Sequence, residues 1–196
     1  MKKKDGMETQ FEVRTFDSHL SPEAFQSIPR FPVSVVLDNL RSAFNVGSII
    51  RTADCALTDT IYCCGITAHP PHKKLEKTSL GALSYIQVEH RPSAYQAALE
   101  IKEKGIPIIA LETTNQSRLI WKFNFPLPSA LVLGNEALGV SQEVLEIADS
   151  IVEIPMLGFK NSINVAVAFG IVVHEIQRQH WQTLSKKSLV HWNTKP

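Results

Sequence analysis

Residues 33–37 read Val-Ser-Val-Val-Leu, a short run of mostly β-branched side chains with no alternation that would give it a wet face and a dry one. A strand written this way is buried on both sides, the situation of a parallel sheet with helices packed on each face. The run recurs in kind at 60–64, 86–89, 106–111, 130–133 and 151–154. Between these runs lie segments of helical spacing. Val46, Ile49, Ile50 and Ala53 mark a helix over 45–56, and Ala94, Ala97, Ala98 and Ile101 mark one over 93–104, ended by Gly105. Ser141 is placed to cap a helix reaching 148, with Glu143 in its first turn, and 161–181 reads as a long, largely apolar helix. A short segment over 75–83 follows the His- and Pro-rich loop at 68–72. Strands alternating with helices give an α/β fold, a mostly parallel sheet between helices. In such sheets ligands bind beyond the carboxyl ends of the strands, so the residues just after each strand carry the functional question.

Size and charge narrow the classes. The 196 residues suit one domain, and 44% apolar with 20% charged residues is a globular composition. The sequence divides into an arm over 1–32, with at most a short helix at 22–26, a domain over 33–182 and a basic tail over 183–196. Lys2, Lys3 and Lys4 are followed by Asp5, Glu8 and Glu12 rather than an apolar stretch, and no apolar run is long enough to span a bilayer. Neither a signal peptide nor a membrane partner is expected. The net charge of +1 announces no polyanionic partner by itself, so evidence for one must be local. Two weakly basic stretches stand out: Lys73, Lys74, Lys77 and Arg91, and, towards the end, Arg178, Lys186, Lys187 and Lys195. The three cysteines, Cys55, Cys63 and Cys64, are odd in number and include no CxxC pair, which predicts free thiols, no metal site and a reducing, cytoplasmic setting.

The polar and glycine residues concentrate in three loops after predicted strands: 38–52, 133–140 and 154–165. None is a phosphate-binding turn. GxGxxG and GxxxxGK[ST] are both missing, as is the GxSxG elbow of hydrolases. The three loops instead resemble, in order, the three motifs of the SpoU/TrmH class of SPOUT RNA methyltransferases. Asn45, Gly47, Ile49, Arg51 and Thr52 match the first, NxGxIxRT; Gly134, Glu136 and Gly139 match the second, GxExxG. Ile154, Pro155, Met156, Gly158, Ser162, Asn164 and Val165 match the third, IPMxGxxxSxNV. The resemblance covers about 33–179.

That resemblance implies a Rossmann-like α/β domain whose C-terminal segment forms a trefoil knot, and a homodimer with active sites near its interface. It implies S-adenosylmethionine as cofactor and a ribose 2′-hydroxyl of RNA as methyl acceptor, tRNA ahead of rRNA because about 32 residues before the first strand leave no room for a separate RNA-binding domain. Cofactor contacts are implied at Leu133, Gly134, Asn135, Glu136, Gly139, Ile154, Pro155, Met156, Leu157, Gly158, Ser162 and Ile163. Arg51 takes the central catalytic role, assisted by Asn45, Glu136, Ser162 and Asn164. A guanidinium hardly deprotonates in a protein, so Arg51 suits binding of an RNA phosphate and stabilisation of a developing alkoxide. Glycines at 134, 139 and 158 would let backbone approach the cofactor closely. Base methylation, a silent RNA-binding module on the same fold and an unrelated small-molecule enzyme are the alternatives.

Each residue also has an ordinary duty open to it. Asn45 and Ser162 suit helix N-caps, Arg51 a surface ion pair, Glu136 a partner or cap near Ser141, and Pro155 and Met156 plain core. Trp121, Phe123 and Phe125 suit packing on the core more than stacking on bases.

Overall fold

A computed structural model describes residues 21–184. The described residues divide into two units, one holding 21–29 and 183–184, the other 30–182. In the first, helix α1 (Pro22–Gln26) is capped by Ser21, whose hydroxyl oxygen accepts from the Ala24 N–H at 3.2 Å. The basic residues predicted after Thr183 lie outside the described residues.

The second unit is built on a seven-stranded sheet: β1 (Val33–Asp38), β2 (Thr60–Cys64), β3 (Gln87–Arg91), β4 (Ile108–Leu111), β5 (Arg118–Leu119), β6 (Ser129–Leu133) and β7 (Ser150–Glu153). Their spatial order is β3-β2-β1-β6-β4-β7-β5, and every pairing is parallel. All six residues of β1 are buried, as their unalternating composition requires. The helices are α2 (Ala43–Cys55), α3 (Lys73–Ser79), α4 (Ala94–Glu103), α5 (Gln142–Ile147) and α6 (Val165–Leu184). Among the described residues the trefoil knot that the resemblance implies is not visible.

Handedness decides which helix covers which face. A right-handed crossover moving one way across the sheet places its helix on one face, and a crossover moving the other way places it on the opposite face. The connections through α4 and α5 run toward the β5 edge, and both helices share one core. There Ala94, Ala97, Ala98, Ile101 and Val144 pack on Val36, Tyr62, Cys64, Ile108, Ala110 and Val132. The connections through α2 and α3 run toward the β3 edge and so occupy the other face, where α6 lies alongside α2. Asn164 bonds Asn45, and Gln177 donates to the Ala56 carbonyl oxygen, so the two helices run side by side in the same direction.

Several element bounds differ from those the sequence predicts. The final helix begins at Val165, not 161, because Asn164 takes the cap: its Oδ1 accepts from the Ala166 N–H at 2.9 Å. The cap of α2 is Ser42, whose Oγ accepts from the Asn45 N–H, so Asn45 stands in the first turn with its side chain free for other work. Ser141 precedes α5 without a side-chain cap bond. Around the aromatic run the chain makes the two-residue β5 and a 3-10 turn over Ile120–Lys122, leaving Phe123 and Phe125 buried edge to face at 4.8 Å and Trp121 exposed. Among the described residues no helix is long and apolar enough to cross a membrane.

Candidate functional site

The sheet register brings four strand ends level. Leu37 pairs with Leu133, Leu133 with Leu111, and Leu111 with Val152. The next residues are therefore Asp38, Gly134, Glu112 and Glu153, arrayed along one edge at the point where the strand order changes direction. That is the ligand crevice of an open parallel sheet, and a cavity of about 930 Å³ lies there. Loops after β4, β6 and β7, and the first turn of α6, form its walls.

The loop after β6 is folded back on itself. The N–H of Asn135 donates to the Gly139 carbonyl oxygen and the N–H of Gly139 to that of Asn135, both at 2.9 Å. The Asn135 side chain accepts from the Ala137 and Leu138 N–H groups and donates to the Asn39 carbonyl oxygen. A β-carbon on Gly134 would sit 2.2 Å from the Gly139 carbonyl carbon and the Val140 nitrogen, and one on Gly139, where φ is +73°, would sit 2.3 Å from Glu112 Oε2. These glycines are thus required by the loop's own closure. Gly158 has open space where its β-carbon would be.

From this loop Glu136 reaches across to the loop after β1. Its Oε2 accepts from the Arg41 N–H at 2.8 Å, and its Oε1 from the Ser42 N–H at 3.1 Å and the Asn45 side-chain amide at 2.8 Å. Asn45 Oδ1 in turn accepts from the Asn164 amide at 3.0 Å. Burial alone would raise the Glu136 carboxyl, but the donors from Arg41, Asn45 and Ser42 outweigh it and hold the group below the usual glutamate range. One polar chain, Glu136–Asn45–Asn164, therefore joins all three predicted loops. Glu112 and Glu153 add two more carboxylates. Glu112 accepts from the Val140 and Thr113 N–H groups, and Glu153 from the Ser117 hydroxyl.

Of the predicted cofactor residues, Leu133, Gly134, Asn135, Glu136, Gly139, Ile154, Met156, Ser162 and Ile163 line the cavity, while Pro155, Leu157 and Gly158 do not. Leu157 is almost wholly exposed. Of the predicted catalytic set, Glu136, Ser162 and Asn164 line it, and Asn45 is bonded to two of them. Arg51 does not reach it: it sits exposed on α2, about 240° around the helix and roughly 9 Å along it from Asn45. Glu112, Thr113, Glu153, Lys160 and Asn161 were not picked out from sequence, although Glu112 could have been found by the same post-strand rule that found Gly134. Among the described residues no cluster of three His, Cys, Asp or Glu side chains could hold a metal ion.

Comparison with known proteins fits this arrangement. The family model described as the SpoU rRNA methylase family matches residues 32–174. A tRNA (guanosine(18)-2′-O)-methyltransferase of Aquifex aeolicus is 35% identical over 146 residues, 74% of this chain and 68% of that protein. The crystal structure of an A. aeolicus TrmH/SpoU tRNA modifying enzyme superimposes with a TM-score of 0.73 at 31% identity, covering 84% of this chain and 83% of that one. The SpoU methyltransferase AviRb from Streptomyces viridochromogenes, solved in complex with AdoMet, gives a TM-score of 0.71 at 26% identity over 80% of this chain and 63% of that one.

Proposed function

Because this chain belongs to the SpoU rRNA methylase family, we propose that it transfers a methyl group from S-adenosylmethionine to a ribose 2′-hydroxyl of RNA, tRNA ahead of rRNA. The observation that carries the reading is the cavity at the strand ends, with Glu112, Glu136 and Glu153 on its walls and the Glu136–Asn45–Asn164 chain along one side. These residues fit the cofactor. Leu133, Ile154, Met156 and Ile163 supply apolar surface for an adenine and a thioether chain, and the carboxylates suit a cation and ribose hydroxyls. When bound, S-adenosylmethionine supplies an electrophilic methyl group on a positively charged sulfur.

The protein's part is alignment and electrostatics. Glu136 fixes the backbone of Arg41 and Ser42 and orients the Asn45 amide. Asn45 in turn fixes Asn164, which lines the cavity together with Ser162, so that both offer polar groups to the bound substrates. The hydroxyl proton passes to solvent water, and the residue suited to stabilise the oxygen left behind is Arg51, which lines no part of its own chain's cavity. The arginine is delivered by a second copy of the chain. Thr52, the residue after Arg51, has its methyl group 3.9 Å from where a Gly170 β-carbon would stand, so α2 borders α6 at this point. There Val167, Ile171 and Trp181 lie along one side of the helix, all substantially exposed, and Leu157, Phe159 and Ile163 are exposed before it. An apolar stripe of this kind supports a homodimer interface.

The tRNA preference rests on the relatives named for tRNA modification. The cytoplasmic setting rests on that substrate and on free thiols; the domain assignment is an arm over 1–32, the methyltransferase domain over 33–182 and an RNA-contacting basic tail over 183–196. Labelled methyl transfer from S-adenosylmethionine into unmodified tRNA and rRNA, with calorimetric titration of the cofactor, tests the chemistry; no transfer and no binding would sink it. Mixing tests the arginine. Arg51→Ala and Asn164→Ala proteins are each inactive alone, and statistical exchange of their subunits restores about a quarter of wild-type activity, because half the dimers regain one complete site of two. No recovery after demonstrated exchange would place Arg51 outside the partner's site.

A further inference from the structure

A second cavity, of about 540 Å³, lies on the other side of the loop that follows β1. Arg41, Phe44, Ile66, His69, His72 and Lys74 line it. It adjoins the first through a bonded strip: the Arg41 and Ser42 N–H groups, on this cavity's wall, donate to Glu136, on the other's.

The two cavities carry opposite charge. Three carboxylates and one lysine, Lys160, line the first, whereas no described residue lining the second is acidic and two, Arg41 and Lys74, are basic. Lys74 enters no ion pair with a described residue, in contrast to Arg91 of the same basic stretch, which is neutralised by Glu89 and Glu100, each at 2.8 Å. At the same cavity Phe44 is 60% and Ile66 70% exposed, large apolar surface left in water next to cations. Cations beside an exposed aromatic face are the means by which proteins hold single-stranded nucleotides: charge for the phosphate, a flat apolar surface for the base.

Resting on the reading of the first cavity as a methyl-donor site, we propose that the second is the acceptor side and takes the target nucleotide of the RNA, with its base against Phe44 and Ile66 and its phosphate between Arg41 and Lys74. A cationic donor and an anionic acceptor then occupy adjoining cavities of complementary sign, and the ribose lies over the strip between them.

Binding of a fluorescein-labelled, unmodified tRNA transcript, followed by anisotropy from about 50 to 200 mM salt, tests this alongside calorimetric titration of S-adenosylmethionine. Arg41→Ala and Lys74→Ala each weaken tRNA binding roughly fivefold or more and lower the slope of log affinity against log salt by about 0.7–0.9. Phe44→Ala weakens binding roughly tenfold with the slope unchanged, because stacking releases no counterions. All three bind the cofactor as wild type does. Unchanged tRNA affinity and slope in the Arg41→Ala/Lys74→Ala double variant, or a wild type that does not bind the transcript, overturns the proposal. If the variants behave as stated but the wild type neither binds S-adenosylmethionine nor transfers methyl, the cavity stands as an RNA site and the methyl-donor reading falls instead.

Discussion

Gly134→Ala and Gly158→Ala separate two reasons for a glycine at this site. The β-carbon added at 134 would stand 2.2 Å from two backbone atoms of residues 139–140, so the loop must open by at least about 0.8 Å to reach even 3.0 Å. That movement carries the reciprocal bonds between Asn135 and Gly139 from 2.9 Å to beyond bonding distance and pulls the Val140 N–H from Glu112. Three bonds at about 1 kcal/mol net each amount to roughly 2–3 kcal/mol. For a chain of this size that lowers Tm by roughly 5–10 °C. The same opening displaces Glu136, so S-adenosylmethionine affinity falls with stability. Gly158→Ala meets nothing within 4 Å and leaves Tm unchanged; any loss of cofactor affinity there reports contact with the cofactor alone. Differential scanning fluorimetry and calorimetric titration on both variants give the two readouts. A Gly134→Ala protein with wild-type Tm and cofactor affinity would refute the close-approach argument.

The Glu136→Gln variant leaves one N–H donor facing the new amide and costs about 1 kcal/mol in urea denaturation at pH 7, discounted for the exposed setting. The wild-type carboxyl lies below its ordinary value of 4.5, so its contribution is present above that value and is lost as pH falls through the lower folded value. The stability gap between wild type and Glu136→Gln therefore narrows on acidification below about pH 4.5; a gap that stays constant down to pH 3 would contradict the charge-assisted bonds. In the native protein a thiol reagent modifies Cys55 alone, slowed by partial burial. Cys63 and Cys64, both buried with thiols pushed up to about 12, react only on unfolding. Rapid native reaction of all three thiols would contradict the fold around β2.

Burial made the sheet legible. Four of the seven strands, β1, β2, β4 and β6, are runs that only a two-sided core explains; β7 is half-buried, β3 is largely exposed or half-exposed, and the two-residue β5 at the far edge carries no pattern at all. Capping residues were legible as a type but not by position. Ser42, Asn45, Ser162 and Asn164 all suit a cap, and although the cap bonds of Ser42 and Asn164 are local, the bonds that hold Asn45 elsewhere lie outside any local window. Asn45 is released from capping by Ser42 and held by Glu136, 91 residues away, and by Asn164, 119 residues away. A knot, likewise, is a property of the whole chain path, to which neither periodicity nor propensity refers.

The motif that places Asn45 and Arg51 six residues apart puts them on different sides of one helix. Asn45 is committed inward, bonded to both loops of its own cavity, while Arg51 is exposed to solvent on another side of α2. A motif suggests that its residues act in one reaction, whereas the helix repeat sets these two on different sides of one helix and Arg51 lines no part of its own chain's cavity. The two statements are compatible if the reaction is shared between copies. The exposed stripe and the misdirected arginine are then one feature of the sequence, and subunit exchange tests both at once.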